Sequence, residues 1–123
     1  MDDKTKVLIV DDRVENLFAL NILLKPLGIQ GIKAKSGEEA LQKLEAHKVK
    51  AILLDVNMPG MNGYETADAI RQNSDWAQLP IFFVSAMDEG SGTYEAQSEH
   101  GNIEYLYKPI DKVKLEDALS DCI

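Results

Sequence analysis

Short apolar runs in this chain alternate with segments of helical spacing, with a period of roughly 20 to 27 residues. Val7-Leu8-Ile9-Val10, Ala51-Ile52-Leu53-Leu54 and Ile81-Phe82-Phe83-Val84 are apolar at consecutive positions, so both faces of each strand must be covered. Residues 29–34 form a second, less hydrophobic strand suited to a sheet edge, and a strand around Ile103 to Leu106 runs into Lys108-Pro109. Parallel strands need long crossover connections, which are helices here. The expected fold is α/β: a five-stranded parallel sheet of order 2-1-3-4-5 with helices on both faces, flavodoxin-like and doubly wound.

The helical segments carry their own signals. Residues 13–25 place Val14, Leu17, Leu20 or Asn21, and Leu24 at helical spacing, stop near Pro26, and leave through a left-handed Gly28. Ser36 and Glu39 read as a capping box opening a helix that buries Ala40, Leu41 and Leu44, with Glu39 and Lys43 as a supporting pair. A turn occupies residues 57–63, and helical spacing resumes from Tyr64 to Arg71 through Ala67 and Ile70. Asp111 caps a last helix carrying Leu115, Ala118 and Leu119. Between residues 87 and 100, Gly90 and Gly92 argue for a late or short helix. Trp76 is assigned to packing or surface chance.

Composition narrows the function. At 123 residues the chain fits one domain, residues 1–123. A net charge of −8, with dispersed basic residues, argues against direct contact with nucleic acid or anionic membranes. The single cysteine, Cys122, excludes an intramolecular disulfide and a multi-cysteine metal cluster. The chain has no long apolar span and no leader pattern, so the expected location is cytoplasmic, whether it acts alone or was cut from a larger protein.

Ligands of open parallel sheets bind beyond the carboxyl ends of the strands. There this sequence places Asp11 and Asp12 after strand one, Asp55 after strand three, Ser85 after strand four and Lys108 after strand five. Three carboxylates at one rim repel one another and need a cation or a pKa shift. Magnesium suits them, because it takes one or two carboxylates, keeps waters and binds phosphate oxygens. The sequence has no EF-hand spacing, and His47 and His100 are solitary. Lys108 can neutralise Asp55 at rest and bind a phosphoryl oxygen afterwards, the Ser85 hydroxyl can donate to another oxygen, and Asp55 is the candidate nucleophile.

With these residues stated, the chain resembles the response-regulator receiver domains of two-component signalling. The resemblance rests on Val10-Asp11-Asp12, on Leu53-Leu54-Asp55-Val56-Asn57-Met58-Pro59-Gly60-Met61-Asn62-Gly63, on Val84-Ser85-Ala86 and on Tyr105-Leu106-Tyr107-Lys108-Pro109-Ile110. It implies that Asp55 is the phosphoacceptor and that Asp11, Asp12, Asp55 and the Asn57 backbone carbonyl hold magnesium, for which manganese can substitute. It further implies that Ser85 and Lys108 bind the phosphoryl group and Ser85 and Tyr105 are the switch pair. A cis bond precedes Pro109, and Asn57 and Met87 tune phosphate lifetime. The implied donor is a histidine kinase or histidine phosphotransfer domain, with acetyl phosphate as a small substitute. The implied output is a shift in partner binding at the face formed by the fourth helix, fifth strand and fifth helix.

Mild departures from the family pattern are Asn102 and Glu104, and the glycine-rich stretch at residues 88–94 is less ordinary. The opening pattern from Val14 to Gly28 is similar to receivers attached to hybrid sensor kinases. A haloacid-dehalogenase-like phosphatase wants Asp-x-Asp after the first strand, which Asp11-Asp12-Arg13 does not supply. An unphosphorylated adaptor would have lost Asp55, the acidic pair or Lys108, and all are present. The chain is therefore expected to be a switch and not an enzyme.

Overall fold

The computed structural model describes residues 5–85, 103–120 and 122. Five strands, β1 (Thr5–Val10), β2 (Ile29–Ala34), β3 (Ala51–Asp55), β4 (Ile81–Ser85) and β5 (Ile103–Tyr107), form one parallel sheet in the order β2-β1-β3-β4-β5. The helices are α1 (Val14–Leu24), α2 (Gly37–Ala46), α3 (Gly63–Arg71) and α4 (Lys112–Leu119), the last being the helix capped by Asp111. The expected fold and strand order are both present. The glycine-rich segment expected to open the fourth helix of the sequence reading lies outside the described residues, as does Met87.

Strand pleating sorts the core into two layers. Leu8, Val10, Ile52, Leu54, Ile81 and Phe83 face α2 and α3, while Val7, Ile9, Ala51, Leu53, Phe82 and Val84 face α1 and α4. This period of two along apolar strands is what a doubly covered sheet requires. The edge strand β2 is less completely covered, burying Ile29 in one layer and Ile32 and Ala34 in the other while exposing Gln30 and Lys33.

Most expected helix signals hold, with local corrections. Leu17, Leu20 and Leu24 are buried on α1, but Val14 is 46% exposed. Val14 is the first helical residue, and in the first turn the face turned to the sheet is already taken by Asn16 and Leu17. A 3₁₀ turn over Lys25–Leu27 ends α1 through Gly28 at φ 78°. Ser36 accepts from the Glu39 amide at 3.0 Å, yet the Glu39 carboxylate accepts from the Lys35 amide, one residue earlier than a capping box requires. A complete box does occur at Asn62 and Glu65, which bond each other's amides at 2.9 Å. Asp111 accepts from the Lys114 amide at 2.8 Å. Leu41 and Trp76 are half-buried against the α2/α3 layer. No helix among the described residues is long and apolar enough to cross a membrane.

Candidate functional site

β1 and β3 are adjacent, so their last residues deliver carboxylates to one point. Asp11 follows β1, is 2% exposed, and donates its amide to the Ala34 carbonyl at 3.1 Å. Asp55 ends β3 and is 5% exposed, whereas Asp12 faces solvent. One carboxylate oxygen from each of Asp11, Asp12 and Asp55 lies within 4.8 Å of the others. The Lys108 Nζ stands 3.9 Å from Asp55 Oδ1.

Burial pushes the Asp55 carboxyl up to about 6, and the Asp11 carboxylate adds to the rise. The Lys108 ammonium and the Asn57 backbone amide work in the opposite direction, and Asp12 again raises it. Two buried carboxylates facing a third, with one partly exposed lysine nearby, form a donor set short of positive charge. Hard carboxylate oxygens without histidine or cysteine fit magnesium or a similar divalent cation, which would neutralise the cluster and draw phosphate oxygens to it when bound.

The surrounding backbone sets these positions. Ser85 ends β4, is 1% exposed, and accepts the Lys108 amide on its carbonyl at 2.9 Å. The Lys108-Pro109 peptide is cis, as the resemblance implies. Lys114 of α4 donates to the Tyr107 and Pro109 carbonyls at 2.9 and 3.0 Å, which ties the loop to the following helix. On the other side, Gly63 presses the start of α3 against the acceptor strand. A Cβ at Gly63 would overlap the Asp55 carbonyl oxygen and come within 2.6 Å of the Val56 Cα. Gly60 takes φ 71° in the same loop, a conformation that favours glycine.

Tyr105 is half-buried on β5, its ring centre 5.4 Å from Phe83 and its hydroxyl 3.1 Å from the Tyr64 hydroxyl of α3. Tyr107 stacks on it at 5.7 Å. The site thus brings together Asp11, Asp12, Asp55 and Lys108, with Ser85 at the adjacent strand end and Asn57 in the loop beyond. Residues the sequence reading passed over include Asn16, whose amide donates to Asp11 Oδ2 at 3.1 Å, and Tyr64. Asn16 could have been found from its place one helical turn after the acidic pair. A groove of about 310 Å³ beside the site is lined by Asp11, Asn16, Leu20, Val84, Lys108 and Pro109. A larger one, about 760 Å³, lies between the end of α2 and Trp76, at the amino ends of the strands and away from this chemistry.

Comparison with known proteins agrees with this geometry. The family model "Response regulator receiver domain" matches residues 7–120, and the chain belongs to that family. It is 36% identical over 120 residues to the autoinducer 2 sensor kinase/phosphatase LuxQ of Vibrio parahaemolyticus, covering 98% of this chain and 14% of LuxQ. It is 33% identical over 114 residues to protein RcaC of Microchaete diplosiphon, covering 93% of this chain and 17% of RcaC. The chain therefore spans only a small part of these two relatives. Among solved structures, the receiver domain of a sensor histidine kinase from Pseudomonas aeruginosa PAO1, with a magnesium ion coordinated in its active-site cleft, superposes with a TM-score of 0.84 at 26% identity, covering 98% of each chain. This chain is a receiver-type phosphoacceptor domain, a signalling module, and its acidic cluster is a divalent-cation site suited to phosphoryl coordination.

Proposed function

We propose that residues 1–123 form a single receiver domain in which Asp55 accepts a phosphoryl group from a phosphohistidine donor. The observation that carries this reading is the seclusion of Asp55 at the end of β3 with Asp11 and Asp12 on one side and Lys108 3.9 Å away. An Asp55 carboxylate oxygen attacks phosphorus, the O–P bond forms as the N–P bond breaks, and the imidazole leaves with the bonding pair. Asp11, Asp12, Asp55 and the Asn57 carbonyl hold Mg²⁺, with Mn²⁺ as a substitute. Lys108 and the Ser85 hydroxyl bind phosphoryl oxygens.

Ser85 and Tyr105 then transmit the change as a shift between two populated states. The output face comprises β5, the last helix and the fourth helix of the family fold, and Asn57 and Met87 tune the lifetime of the phosphate. The partner upstream is a histidine kinase or histidine phosphotransfer domain, a reading supported by the likeness to LuxQ and to the Pseudomonas receiver.

Incubation with acetyl phosphate and Mg²⁺, followed by intact mass, tests the proposal. One added phosphoryl group is expected, absent in Asp55→Asn and with excess chelator. If neither acetyl phosphate nor phosphohistidine donors modify the chain, the proposal fails and a constitutive binding role replaces it.

A further inference from the structure

Asp11 is gripped by the first turn of α1. Its Oδ1 accepts the Arg13 amide at 2.9 Å and its Oδ2 accepts the Asn16 side-chain amide at 3.1 Å. In this pair the Asn16 Nδ2 is the donor and the Asp11 oxygen the acceptor. Arg13, the N-cap of α1, makes no side-chain cap bond, so Asp11 supplies the acceptor for the start of the helix. With one donor on each oxygen, rotation of the carboxylate is restrained in both directions, and one of its oxygens lies within 4.8 Å of carboxylate oxygens of Asp12 and Asp55.

We propose that Asn16 is a positioning residue for the cation site: its amide fixes the Asp11 carboxylate in the orientation that binds the divalent ion. This rests on the reading of Asp11 as part of that site. A neutral donor suits the task, since it stabilises an ionised carboxylate without adding a cation that would compete with the metal. Asn16 and Asp11 both line the neighbouring groove, which places the bonded pair at the edge of the site. Donors that orient metal-binding carboxylates typically change affinity by about 10- to 100-fold when removed.

The test measures binding of Mn²⁺ alone to the full chain by the paramagnetic resonance signal of the free ion, with Mg²⁺ as competitor. Asn16→Leu, nearly isosteric but without a donor, is expected to raise the Mn²⁺ dissociation constant about tenfold. Asn16→Gln, which keeps the amide, is expected to recover part of the loss, and both metal-free variants should melt close to the wild type. Should Asn16→Leu fail to fold, Asn16→Ala, which also lacks a donor, is measured against Asn16→Gln in its place. Binding by the donor-free variant within twofold of the wild type overturns the positioning role alone, as does an equal loss in Asn16→Gln. A wild-type chain that binds no Mn²⁺ overturns the cation-site reading and this inference with it.

Discussion

Leu54 and Asp55 are consecutive residues of β3, each withdrawn from water, and they act on the fold in opposite directions. Leu54 faces the α2/α3 layer at 0% exposure, where burying such a side chain contributes roughly 1.5–3 kcal/mol. Asp55 sits at 5% exposure beside a second carboxylate, and its ionised form is disfavoured by both burial and charge. The interior of the sheet supplies the stability that its carboxyl rim uses up. The lesson is that the rim was shaped for a bound cation and a phosphate, and the core for holding that rim still.

Substitutions can break the contrast. Leu54→Ala should destabilise by about 2–5 kcal/mol in denaturant titration, since it removes transfer energy and leaves a cavity. A loss under 1 kcal/mol would mean that the layer repacks freely around β3.

Asp55→Asn should do the reverse. A raised folded-state pKa means that the folded chain holds its proton longer than the unfolded one. The group's stabilising contribution is therefore fully present below its ordinary value of 3.8 and gone above about 6. In chelator at pH 7, Asp55→Asn should be more stable than wild type by about 2–3 kcal/mol, a gain that shrinks toward zero as the pH falls to about 4. Urea melts at several pH values measure it, and a pH-independent difference would contradict the proposed cause.

Two smaller effects sharpen the comparison at the rim. Tyr64→Phe removes the hydroxyl facing Tyr105 and should cost about 1 kcal/mol. In the phosphorylated form it should change the fluorescence or chemical shifts of Tyr105 more than those of Trp76, which packs at the far end of the sheet. Lys108→Ala should alter stability by under about 1 kcal/mol, because its side chain is 42% exposed and the pair is screened, while slowing phosphorylation well beyond that. A large stability loss without a rate effect would assign Lys108 to scaffolding.

How much of this was legible in the sequence depends on the range of each interaction. The core strands were readable because consecutive apolar residues such as Val7 to Val10 leave few alternatives to a buried parallel strand. Asp11, Asp12, Asp55, Ser85 and Lys108 were readable as a group because strand ends in such a sheet share one rim. Contacts between distant segments were not. The Tyr64–Tyr105 pair spans 41 residues, and no local pattern encodes it. The close approach of Gly63 to the acceptor strand likewise depends on the tertiary position of α3. The Asn62–Glu65 capping box follows a local rule, but Asn62 fits the preceding Asn-, Pro- and Gly-rich turn equally well. The Glu39 carboxylate shows the limit of such rules, since one residue of difference in the approaching chain redirected it from Ser36 to Lys35.

The central claim is that Asp55, and no neighbouring carboxylate, carries the phosphate. Reduction of the phosphorylated chain with borohydride converts an aspartyl phosphate to homoserine, and peptide mass spectrometry then locates it. The account predicts homoserine at position 55 alone; homoserine at position 11 or 12, or a phosphate resistant to borohydride, would contradict it.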